Sequence, residues 1–211
     1  MTEFASSARV VIDFITPWTA VSVHTQGNQS GFRCHRDHRG LPALPMSQVK
    51  GTLRETAERL ARAGAHGITS DRIRLLFGGR WKADDSREVN QLAVVTSLDA
   101  VIADEVAADL SPQKETLFQS VRCPPLKADR LACARTMRSY EVSIPLVLIG
   151  KIYWSATTPA DFDWIGFFDR ICARTTNLGP KELSSRGFGQ ARIFVQAESE
   201  FGATAVSGGS A

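Results

Sequence analysis

The sequence predicts an α+β domain whose elements run strand, helix, two strands, helix, strand. Three observations predict it: a β-branched run near the N-terminus, two amphipathic helices with start signals, and late apolar runs followed by a closing strand. The 211 residues, 43% apolar and 22% charged, suit one compact domain or at most two small ones and exclude disorder throughout. No internal repeat recurs at a fixed period.

Ala8 to Val23 (ARVVIDFITPWTAVSV) reads as a first strand that bends at Pro17. Gln26 to Gly40 is polar, carries Gly27, Gly31, Arg33, Arg36 and Arg39, and reads as a loop. Pro45 and Ser47 then announce a helix, with Ser47 as the expected N-cap and Val49, Leu53, Ala57, Leu60 and Ala61 as its apolar stripe. Its opposite side has the row Lys50, Arg54, Glu58 and Arg62, where Glu55 with Arg59 and Glu58 with Arg62 are spaced to pair. Gly64 and Gly67 are expected to end it.

Gln91 to Leu98 suits a strand, Asp99 to Leu110 a short helix or part of an acidic excursion, and Pro112 to Pro125 irregular chain. Ser139 to Ala156 suits one long strand or two joined at Pro145. Thr158, Pro159 and Asp161 signal a second helix, with Phe162, Ile165, Phe168 and Cys172 on its buried face, widened by Ile171 and Trp164. Leu178 to Gly189 is a Gly-containing loop, and Gln190 to Gln196 the closing strand. The order is the ferredoxin-like (RRM-like) βαββαβ arrangement with insertions. One domain is expected over residues 1–205, with an inserted lobe around 80–137 and a disordered tail at 206–211.

Net charge is only +3, but it is unevenly placed. Residues 33–87 hold 12 Lys and Arg against 6 Asp and Glu, residues 88–120 hold 1 against 6, and residues 121–195 hold 11 against 6. Two basic blocks around an acidic insert suggest a polyanion-binding face built from distant segments. The four cysteines (Cys34, Cys123, Cys133, Cys172) form no CxxC pair, so reduced thiols are expected rather than a disulfide scaffold or zinc ribbon. No apolar run approaches the roughly 20 residues of a membrane span, and Met1 to Ser7 has no leader pattern. A soluble, cytoplasmic protein without membrane contact is expected.

Two segments concentrate phosphate-binding chemistry. In Gly40 to Arg54 (GLPALPMSQVKGTLR) a loop enters a helix whose first turns hold Ser47, Lys50, Gly51 and Arg54. Such a turn offers open backbone N–H groups, a hydroxyl and cations, and Gly51 leaves room for a close approach by another backbone. In Leu178 to Ile193 the run SSRGFGQARI sets Arg186, Gly187, Phe188 and Gly189 near Lys181 and Arg192. Its glycines permit positive φ and close contact, while neither a P-loop nor a GxGxxG fingerprint is present.

In order and position these two segments resemble the "G-x-P-x-I-P-G-S-S-x-K-G-x-x-R" opening of the first helix and the "R-G-x-G" loop before the last strand in the RAMP superfamily of CRISPR-associated proteins. Leu76, Phe77 and Gly78 also resemble the "LFG" that follows the first helix there. The resemblance spans residues 33 to 195, weakest in the middle third, and is greatest to guide-RNA-binding subunits of type III and type IV effector complexes. It implies a non-catalytic crRNA-binding subunit, either backbone or 5′-handle capping. Its partners would be guide RNA (crRNA), other CRISPR effector subunits and target nucleic acid.

The same resemblance puts Arg33, Arg36, Ser47, Lys50, Gly51, Arg54, Lys181, Arg186, Gly187, Phe188 and Gly189 at the guide. Met46 stands where the family has Gly and Gln48 where it has a second Ser. The acid with which type III backbone subunits cut target RNA would fall near Gly31 and Phe32. The nearest carboxylate, Asp37, aligns with a non-catalytic position, so no catalytic residue is expected.

Cys34, His35 and His38 form the best metal-ligand cluster, with Cys123 as a distant fourth, but an RNA-facing basic loop is the simpler reading. No cofactor or metal is expected. The alternatives are a metal-independent guide-processing endoribonuclease using His24, His35 or His38 as general base, and a protein-interaction domain without RNA. Trp81, between Arg80 and Lys82, is the tryptophan best placed for base stacking.

Overall fold

The first strand, β1 (Phe4–Phe14), buries Ala8, Val10, Ile12 and Phe14 in strict alternation, so one face of it enters the core. The computed structural model describes residues 4–26, 29–78, 95–123, 138–155 and 162–197. After β1 come β2 (Val21–Gln26) and β3 (Gln29–Cys34), then α1 (Met46–Arg62) and α2 (Ser70–Phe77). β4 (Val95–Val101), α3 (Asp104–Leu110), a 3-10 turn (Ser111–Leu117), β5 (Phe118–Cys123) and β6 (Arg138–Ser143) follow. The chain continues through β7 (Val147–Ser155), α4 (Trp164–Cys172), the one-turn α5 (Lys181–Ser184) and β8 (Ala191–Ala197).

The main sheet has the order β4-β7-β1-β8, all antiparallel. With α1 between β1 and β4 and α4 between β7 and β8, this is the ferredoxin-like βαββαβ topology. Both helices pack on the buried side of the sheet: α1 with Met46, Val49, Leu53 and Ala57, α4 with Trp164, Phe167, Phe168, Ile171 and Cys172. Gly150 of β7 lets α1 come close, since a Cβ there would stand 3.0 Å from Met46 Sδ.

The insertions build a second sheet of order β2-β3-β6-β5, in which β3 and β6 are parallel at Phe32 and Tyr140. It joins the end of the main sheet through reciprocal backbone hydrogen bonds between Trp18 and Ser143 of 3.0 and 2.7 Å. Of the expected lobe at 80–137, residues 95–101 form an edge of the main sheet and 118–123 an edge of the second. The rest of that stretch outside 95–123, with Trp81, lies outside the described residues, as does the tail at 206–211.

Several local expectations are corrected. Within the expected loop Gln26 to Gly40, Gln29–Cys34 is a strand, because β2 and β6 pair with it and Cys34 and the partly buried Phe32 join the two hydrophobic clusters. The stretch after Pro112 forms a 3-10 turn and β5. Helix α2 is an element that the sequence pattern does not predict; it is N-capped by Thr69 Oγ1, which accepts from Arg72 N at 3.3 Å, and buries Ile73, Leu76 and Phe77.

Helix α4 is capped by Asp163, whose side chain accepts from Gly166 N at 2.9 Å. The expected start signals Thr158, Pro159 and Asp161 lie outside the described residues. Pro145 separates β6 from β7, which belong to different sheets. No described helix is long and apolar enough to cross a membrane.

Candidate nucleic-acid interface

β1 and β4 end, and β7 and β8 begin, at one end of the main sheet, as the pairings Asp13 with Val147, Phe14 with Ala191 and Val101 with Ile149 show. Helix α1 starts at this end beside β4, and the Gly-rich loop enters β8 at the opposite edge. The topology therefore brings both candidate segments to one end of the molecule, with β1 and β7 between the strands they adjoin.

The approach to α1 is a tight, buried segment. Gly40 takes φ +79°, Asp37 Oδ1 accepts from the N–H groups of Arg39 and Leu41 at 2.9 and 3.0 Å, and Leu41 to Leu44 are buried. The Asp37 carboxylate, 5% exposed, also receives Arg39 at 2.8 Å, so it serves this turn. Arg39 reaches on to Asp104 Oδ1 at 2.7 Å and the Ile102 carbonyl at 2.8 Å, fastening the loop to the corner after β4.

The helix start departs from expectation in one respect. Its N-cap position is Pro45, with no side-chain cap, and Ser47 lies exposed in the first turn. The Met46 N–H instead donates to Asp99 Oδ1 of β4 at 3.2 Å, while Gln48 and Val49 donate to the Pro45 carbonyl. These N–H groups are thus engaged, and a carboxylate already sits at the positive end of the helix. What α1 offers an anion is its side chains.

Lys50 is half-buried; burial, and then the charge of Arg54 one turn on, lower its pKa from the ordinary 10.5. Arg54 Nε donates to Glu58 at 3.0 Å, while Arg62 donates to the Glu58 carbonyl and Arg59 to Thr56 Oγ1. The Glu58 carboxylate thus pairs backward with Arg54, while Arg62 meets the Glu58 backbone carbonyl. Gly51 is exposed, and a Cβ there would have nothing within 4 Å.

The Gly-rich loop is a compact turn hung on Leu183 and Phe188. These pack with Tyr140, Val142 and Cys123 of the second sheet. The N–H groups of Arg186 and Phe188 donate to Leu183 O, that of Gly187 to Ser184 O, and that of Gly189 to Pro17 O. Gly189 takes φ +75°, and a Cβ would stand 2.6 Å from the Leu178 carbonyl, so only glycine fits. Gly187 takes φ +85° beside open space, and Arg186 is exposed at the turn. Lys181 opens α5; its side chain lies outside the described residues.

Of the loop arginines, Arg33 is exposed on β3. Arg36 bridges Glu115 at 3.1 Å and Glu141 at 3.2 Å and lies 3.8 Å from the Phe118 ring centre. Burial pulls its pKa down, but the hydrogen bond to Glu115 and the charge of Glu141 outweigh that and raise it. No local pattern in the sequence announces this clamp, because its members lie 79 and 105 residues apart. Glu141 also accepts from Cys34 N–H at 3.2 Å.

Cys34 and Cys123 are buried in separate clusters, and burial raises the Cys34 pKa. No group of three or more His, Cys, Asp and Glu able to hold a metal converges among the described residues. His35 Nε2 stands 3.9 Å from Asp99 Oδ2, His38 is exposed, and the side chain of His24 lies outside the described residues.

The sequence matches no protein-family profile and no curated protein. Its structure is similar to a chain of the type III-B Cmr-beta complex bound to cognate target RNA, with TM-score 0.60 and 11% identity over 91% of this chain and 98% of that one. A chain of the apo Cmr-beta complex matches with TM-score 0.57 at 11% identity, over the same shares of the two chains. A chain of a type IV-B CRISPR complex matches with TM-score 0.54 and 16% identity, over 97% of this chain and 93% of that one. At these identities the likeness establishes the shared fold.

Proposed function

We propose that this chain is a non-catalytic crRNA-binding subunit of a CRISPR ribonucleoprotein effector complex, in a backbone or 5′-handle capping position, gripping the guide by its phosphates. The carrying observation is the arrival of GLPALPMSQVKGTLR and SSRGFGQARI at one end of a ferredoxin-like sheet. Lys50 and Arg54 sit one turn apart on α1, an arrangement of like charges that an anion between them relieves. Gly51 between them leaves room for a phosphate chain to approach. Fold neighbours in type III-B and type IV-B complexes support the reading.

The test is the combined variant Lys50→Ala, Arg54→Ala, Arg186→Ala, with its fold checked by circular dichroism. RNA retention should weaken. The slope of log affinity against log salt should become shallower by about 0.7 for each phosphate no longer neutralised. Unchanged retention and slope in the folded variant would contradict the site.

A further inference from the structure

The second sheet has a cavity of about 370 Å³ on the side of β5 and β6 where Glu115, Phe118, Ser120, Ser139 and Glu141 meet Arg33. Its charges balance locally: Arg36, stacked on the Phe118 ring, bridges both carboxylates, and Arg33 stands exposed in the wall. Such a site favours neither a free anion nor a free cation. It suits a neutral, flat ligand with hydrogen-bond donors on its edge.

We propose that this cavity takes a single unstacked nucleobase of the RNA strand, guanine ahead of the other three, with the adjoining phosphate at Arg33. The proposal rests on the RNA-binding reading above. Guanine alone among the four bases presents two parallel N–H donors, N1 and N2, on its Watson–Crick edge, a fork that a carboxylate accepts in full. Uracil presents one N–H between two carbonyls, which a pair of carboxylates repels.

Glu115 is 72% exposed on its side chain and binds Arg36 through Oε1, so its carboxylate keeps acceptor capacity toward the cavity. Glu141 is held in place by Cys34 N–H and Arg36. The hydroxyls of Ser120 and Ser139, 3.0 Å apart with either able to donate, can answer the guanine O6 acceptor. Phe118, whose ring carries the Arg36 guanidinium 3.8 Å from its centre, adds an apolar side chain to the cavity lining.

The test is fluorescence anisotropy of the full chain with labelled uridine decamers that hold one central guanosine, adenosine, cytidine or uridine. The guanosine decamer should bind about tenfold more tightly than the all-uridine one, the effect of one good bidentate base contact. Glu115→Gln should remove most of that preference, by weakening guanosine binding and relieving the repulsion of uracil, and Ser120→Ala should reduce it. Binding of all four decamers with equal affinity overturns the pocket and leaves the RNA reading standing. Guanosine preference that survives both variants assigns base reading elsewhere and also overturns it. Failure of every decamer to bind defeats the RNA reading, and the pocket with it.

Discussion

At Lys50, burial and the charge of Arg54 hold the folded pKa below 10.5, so between the lowered value and 10.5 the folded chain binds fewer protons than the unfolded one. Stability therefore rises with pH across that window, and at lower pH the half-buried ammonium costs stability. A bound phosphate reverses the preference by favouring the charged form. Affinity for a 2′-O-methyl oligoribonucleotide, which survives alkali, should fall as pH rises through this window. Lys50→Arg, charged throughout, should abolish the fall; an identical pH profile in both proteins would show that Lys50 does not meet the strand. The residue types at such sites are legible in the sequence, but their partners are not. Arg36 and Arg39 look equivalent in one polar run, yet Arg36 is held by Glu115 and Glu141 and Arg39 by Asp37 and Asp104.

Helix α1 carries a glycine where helix propensity alone would place another residue. A glycine in a helix interior costs about 1 kcal/mol relative to alanine, and Gly51 is exposed with space around it. Gly51→Ala should therefore stabilise the fold, raising Tm by about 2–4 °C in calorimetry for a chain of this size. It should at the same time weaken RNA binding, because the methyl occupies the approach path. A variant that gains stability and keeps full affinity would remove Gly51 from the interface. α1, α4, β1 and β8 are legible in the sequence because their buried positions follow one clear period. β3 and β5 are not, since a mostly polar strand shows itself only through the strand it pairs with. The capping of α1 is also out of reach, because Asp99 stands 53 residues from the N–H it accepts.

Across the whole molecule, a ferredoxin-like sheet covered on one side by α1 and α4 carries a second sheet at the end where the candidate interface lies. The βαββαβ order can be read from the sequence, whereas the second sheet cannot, as its strands come from separate insertions and meet only in three dimensions. Arg36 ties the chain after β3 to β6 and to the turn before β5, and its removal leaves the partly buried Glu141 without this cation. Arg36→Ala should cost about 1–3 kcal/mol in urea unfolding and speed hydrogen exchange at Cys34 N–H, yet leave the salt slope of RNA binding unchanged. A shallower slope with unaltered stability would make Arg36 a phosphate ligand instead. Whether the chain carries guide RNA at all is decided by purifying it from its host under native conditions and sequencing the nucleic acid that comes with it. Small RNAs derived from CRISPR repeats, together with partner subunits, are expected; recovery without RNA, tightly bound to some other protein, would contradict the guide-binding role.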